Sequence, residues 1–137
     1  MVHRNYPKTS PAEVFLFWYT LLMTNIQIGN AELDSSDTHG WLIGSFIEEQ
    51  FGLRHSDDIE LKWGVLKTGD ARIEWATGET RTTIGVLISG KFTMEFRDQS
   101  VTFDKPGDYV MWGPGTEHKW NAPEDAVWLT IRWHSKE

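Results

Sequence analysis

The chain has 137 residues, 39% of them hydrophobic and 13% aromatic, and a formal net charge of −7. That length suits one domain with its own core. The acidic balance lacks the basic footprint of a nucleic-acid binder and reads as solubility; the absence of cysteine excludes disulfides and thiol chemistry and suits a cytoplasmic protein.

Residues 1–12 are polar and contain proline. Residues 14–23, VFLFWYTLLM, form an apolar run too short for a transmembrane helix, which needs about 20 residues. No membrane partner is therefore expected. Three readings of the run stay open. It is a helix or strand packed on the rest of the chain, an upstream extension with Met23 itself the start, or the core of a signal peptide. His3, Arg4 and Lys8 before it, and the small residues Gly29, Asn30 and Ala31 after it, suit the last reading; Glu13 opposes it. Residues 1–30 are accordingly set apart as an N-terminal extension, and residues 31–137 as the folded domain.

Residues 34–37, DSSD, form a turn cluster. Residues 41–51 read as a strand covering the domain, bent at Gly44, and residues 54–58 as loop. In residues 59–66 the chain alternates. Ile59, Leu61, Trp63 and Val65 fall on one side, Glu60, Lys62 and Gly64 on the other, which is the period of a half-buried strand. Glu60 and Lys62 are expected on its solvated face. After a turn at residues 67–70 a strand resumes over 72–76 and breaks at Gly78 and Glu79. Residues 82–89 are rich in branched side chains and form the next strand, ended by Gly90. Phe92, Met94 and Phe96 then share one face of a strand, and a hairpin tip at Asp98 and Gln99 leads to a returning strand at 101–103. Residues 127–133 close the chain with Val127, Leu129, Ile131 and Trp133 against Trp128, Thr130 and Arg132. Many short strands with frequent turns, and no sustained helical period after residue 30, predict an all-β sandwich or barrel.

The eight tryptophans admit two compatible readings: bulk filling a small barrel or an interface, and the wall of an aromatic-lined ligand pocket. The most informative stretch is 107–121, GDYVMWGPGTEHKWN. It predicts a strand, a tight corner at Gly113-Pro114-Gly115, and a second strand that places His118 just past the corner.

That stretch resembles the second signature of the cupins, G-x5-P-x-G-x2-H-x3-N. Gly107, Gly115 and His118 keep the spacing; Pro114 stands one place late and Asn121 one place early. The first signature, G-x5-H-x-H-x4-E-x6-G, fits upstream with Gly90 as its last residue. Thr83 then takes the glutamate position, Ala76 and Gly78 the two histidine positions, and Gly69 stands one place before the opening glycine. The resemblance spans residues 60–133. It implies a single-domain cupin double-stranded β-helix, a jelly-roll barrel following the N-terminal extension. It also implies a homodimer.

In cupins that match fully, two histidines, a glutamate and a final histidine converge on a metal. Here those positions are Ala76, Gly78, Thr83 and His118, and only His118 matches. No cofactor is expected. A divalent transition metal would need substitute ligands from Glu74, Glu79, His39 or His55. The leading expectation is a barrel that binds a small organic molecule, with His118, Arg72, Glu74, Ala76, Gly78, Thr83, Trp112 and Trp120 around it. Arg72 suits a carboxylate or phosphate because its planar fork matches them; the plainer reading is an Arg72–Glu74 pair at the barrel mouth. His118 is the best catalytic candidate, since imidazole titrates near neutrality; the plainer reading is a buried structural histidine. The alternative function is an enzyme of isomerase, lyase or oxygenase type, either metal-free or using substitute ligands. A third is a structural module with a filled barrel.

Overall fold

The computed structural model describes residues 25–135. The apolar run at 14–23, Trp18 among it, lies outside the described residues. Among the described residues, nine strands follow a one-turn helix. Helix α1 (Ala31–Asp34) is capped by the Asn30 side chain, which accepts from the Leu33 N–H, so the expected turn cluster begins as helix. Strand β1 is only Trp41–Ile43; residues Glu49–Arg54 are 3-10 turns where a longer strand was expected. The chain bends away at Gly44, which bridges to His55. Then come β2 (Ile59–Leu66), β3 (Ala71–Ala76), β4 (Thr82–Gly90), β5 (Phe92–Phe96), β6 (Ser100–Phe103), β7 (Tyr109–Trp112), β8 (His118–Asn121) and β9 (Ala126–Trp133).

The strands form two antiparallel sheets, one ordered β1-β2-β9-β4-β7 and the other β3-β8-β5-β6. Consecutive strands β7 and β8 belong to different sheets, so the Gly113-Pro114-Gly115 corner carries the chain from one sheet to the other. Gly115 adopts φ +79, a conformation that favours glycine. Its N–H donates to the Glu79 carbonyl at 2.8 Å, tying the corner to the loop between β3 and β4.

The core lies between the sheets. Leu87, Phe92, Met94, Phe103 and Trp128 are buried together, with Phe92 stacked on Trp128 at a ring separation of 4.3 Å. As the alternation predicts, Phe92 and Met94 point inward and Phe96 packs against the same cluster. Trp128 lies directly over Gly85, where any side chain would overlap the indole.

The facing of β2 differs from expectation. Glu60 is buried at 8% exposure, and Lys62, Gly64 and Leu66 line the interior, while Val65 on the opposite face is 41% exposed. The alternation is as read, but the charged side is the inner one. The reason is the outer surface: Ile59, Leu61, Trp63 and Val65 pair across strands with Trp133, Ile131, Leu129 and Val127, making an apolar outer layer. The segment around Ser35 and Gly40 lies over it, and the Trp63 N–H donates to the Gly40 carbonyl.

Candidate functional site

Between the sheets lies a cavity of about 320 Å³, near the small end of the range for ligand pockets. Its composition changes along the strands because the register sets neighbours in layers. Leu66 pairs with Ala126 and Gly64 with Trp128; Lys62 pairs with Thr130 and Glu60 with Arg132. One end is therefore apolar, floored by Phe92, Met94 and Trp128, and the other is charged.

The charged end holds a network of four side chains. Arg81 donates to Glu79 through Nε at 2.7 Å and pairs also with Glu60. Arg132 reaches Glu79 at 3.2 Å and Glu60 at 3.5 Å. Burial would raise the Glu79 carboxyl, but hydrogen bonds from the Arg81 side chain and backbone, with the charges of Arg132 and Arg81, outweigh it and hold the group below its ordinary value. The Arg132 guanidinium also lies over the Trp41 ring at 4.2 Å.

Lys62 and Arg72 are placed differently. Among the described residues, no carboxylate pairs with Lys62; its ammonium lies 5.5 Å from the Trp41 ring centroid. Burial, and then the like charges of Arg132 and Arg72, lower its affinity for a proton. Arg72 is exposed and marks the cavity rim. Its Nε–H donates to the backbone carbonyl of Glu74 at 3.0 Å rather than to the carboxylate.

His118 sits half-buried in the wall, 4.7 Å from the Trp112 ring. Its Nδ1 lies 3.2 Å from the Thr116 carbonyl. A carbonyl only accepts, so that nitrogen carries the proton and Nε2 keeps its lone pair. Burial lowers the imidazole's affinity for a proton; Arg72 and Arg132 add to this, while the Thr116 carbonyl and Glu79 oppose it. Burial and the neighbouring cations both favour the uncharged ring.

Of the residues singled out from the sequence, Arg72, Ala76, Thr83, Trp112, His118 and Trp120 all line this cavity. Glu74 and Gly78 are not part of its wall. Glu74 is exposed: the register of β3 against β8 slips between Arg72 and Ala76, so strict alternation fails there. Gly78 has φ +74 and faces open space. Lys62, Arg132, Trp41, Trp128 and Glu79 complete the site. Arg132 was within reach of sequence reasoning: the resemblance puts Thr83 inside the barrel, and Arg132 is its cross-strand neighbour on β9, with Glu60 next beyond.

The donor set does not fit the metal that the fold implies. Ala76 offers a methyl group, Glu79 is engaged by two arginines, His39 is exposed and His55 Nδ1 contacts the Ile47 carbonyl. Among the described residues, no three histidine, cysteine or acidic side chains group so as to hold an ion.

Unmet hydrogen-bonding capacity lies within the residues of the wall. Among the described residues, Thr83 Oγ1, Trp112 Nε1 and Arg132 Nε are buried without a partner, and all three residues line it.

No family model and no curated protein matches the sequence. Solved structures do match. A cupin superfamily protein from Desulfitobacterium hafniense DCB-2 aligns at TM-score 0.54 and 18% identity, over 61% of this chain and 73% of that one. A cupin protein from Bacteroides fragilis aligns at 0.53 and 15%, over 60% and 70%. KdgF from Halomonas sp. aligns at 0.53 and 20%, over 61% and 77%. At these identities the likeness is one of fold: the chain has the cupin jelly roll, and its structural neighbours are cupin superfamily proteins.

Proposed function

We propose that this cupin-fold chain binds a small organic molecule in its barrel, at a place where a metal site has largely been lost. The observation that carries the reading is the set of three buried polar atoms without partners around one cavity. Each such atom costs about 1–3 kcal/mol when left unmet. A solidly packed structural barrel would not gather three of them on one wall. Since these atoms are closed to solvent in the ligand-free structure, a ligand accepting from Trp112 and Arg132 and bonding to Thr83 would meet them on a turn of those side chains toward it. Trp41, Trp112, Trp120 and Trp128 supply flat apolar surface for its body.

A second reading is favoured by one specific observation. His118 has its Nδ1 held by a backbone carbonyl, which leaves Nε2 as a base of fixed tautomer. On that reading the bound molecule is a substrate and His118 the acid–base group, with no metal required.

Native mass spectrometry of freshly isolated protein tests the proposal. The expected result is an organic adduct that leaves on denaturation. A stoichiometric transition metal in its place would overturn it. Turnover of the recovered molecule, lost in His118→Gln, would favour the second reading.

A further inference from the structure

We propose that the molecule taken into the barrel is an organic anion, a small carboxylic acid with a flat apolar body, whose carboxylate is held by Lys62 and Arg72. The inference rests on the small-molecule reading above and names the chemical class.

The first support is a charge imbalance. The cavity wall carries three cations, Lys62, Arg72 and Arg132, and one carboxylate, Glu79, which is already engaged by Arg81 and Arg132. Glu60 and Arg81 behind the wall add one charge of each sign and leave the excess in place. This excess sits inside a chain whose net charge is −7, so it is a local arrangement rather than a reflection of composition.

The second support is geometric. Lys62 lies on the inner face of β2, between the apolar layer of Gly64 and Trp128 and the ion network of Glu60 and Arg132. A half-buried ammonium with no protein carboxylate beside it is left for a bound anion to neutralise. Arg72 stands on the opposite sheet, paired in register with Trp120, and keeps its terminal nitrogens free of protein carboxylates among the described residues. The two cations face one space from opposite walls.

The third support distinguishes a carboxylic acid from a bare phosphate. Most of the remaining wall is apolar: Phe92, Met94, Trp120 and Trp128. Phosphate would use the cations and leave that surface in water. An acid with a flat body uses both, placing its carboxylate between Lys62 and Arg72 and its body against the tryptophans.

The test uses the full-length chain and matched probes: benzoate and phenylacetate, their neutral amides, and inorganic phosphate. Binding is read from the indole N–H signals in nitrogen-15 NMR spectra. Both acids are expected to bind, the amides about tenfold or more weaker, as loss of a charge-assisted hydrogen bond predicts. Lys62→Met and Arg72→Met are each expected to weaken benzoate by about tenfold while the spectrum stays that of a folded β protein. Amides that bind as tightly as acids would overturn the anion assignment and leave the small-molecule reading standing. Phosphate that displaces benzoate at equal concentration would overturn the organic-acid assignment. If no probe shifts any indole, the flat-acid assignment falls, while the small-molecule reading stands or falls separately on the organic adduct in the native mass spectrum.

Discussion

Two sets of charged side chains share this barrel, and they are treated in opposite ways. At one end Glu60, Arg81, Glu79 and Arg132 neutralise one another through short contacts. One register step along the same strand, Lys62 has no protein anion among the described residues, and Arg72 faces it from the rim. The first set is part of how the fold closes. The second is left for something else to complete. Removing charge from the two sets should therefore move stability in opposite directions.

The largest effect is expected at Glu60. Glu60→Gln removes the carboxylate that two arginines share and should destabilise the fold by about 2–3 kcal/mol in urea titration, less than for a fully enclosed pair because Arg81 and Arg132 keep 26% and 23% side-chain exposure. An unchanged midpoint would erase the contrast between the sets. Lys62→Met should do the reverse, stabilising the ligand-free protein by about 0.5 kcal/mol, since a half-buried charge without a carboxylate partner is replaced by an apolar chain of similar length. Destabilisation instead would mean that Lys62 has a partner in the folded state.

The pH dependence sharpens the same comparison. Glu79 has a folded value below its unfolded one, about 4.3 for glutamate. Its contribution is fully present above that unfolded value and is lost as pH falls through the folded one. Glu79→Gln should flatten the acid limb of a stability profile, and a limb of unchanged slope would argue against the network. The smallest effect belongs to His118, whose value is also lowered. The unfolded chain takes up a proton near pH 6.5, about the ordinary histidine value, while the folded protein does so only at lower pH. Stability should fall slightly as pH drops below about 6.5, and His118→Gln should remove that slope.

Much of the architecture was legible in the chain. The alternation of Phe92, Met94 and Phe96 placed one strand and its inner face, because that strand has an apolar side and a polar side in the usual sense. Gly115 and His118 marked the corner, because a turn with positive φ restricts the residue types that suit it. The same reasoning put Glu60 and Lys62 in solvent, and there it failed. In β2 and β9 the more apolar side faces outward, under the segment that precedes β1 on one strand and across the outer layer on the other. Glu74 was misplaced for a separate reason, the slip in register between β3 and β8.

The order of residues along the chain determined where strands run, where they turn and which side chains lie together on a face. Those are local consequences of backbone sterics and a two-residue repeat. Which face became the inside was decided only when β2 met β9, and β9 met β4, because burial depends on what covers each side. Charge follows the same division. A lysine's position is local, but whether it has an anion beside it depends on strands more than sixty residues apart, Lys62 against Thr130 and Glu60 against Arg132, brought into register by the fold.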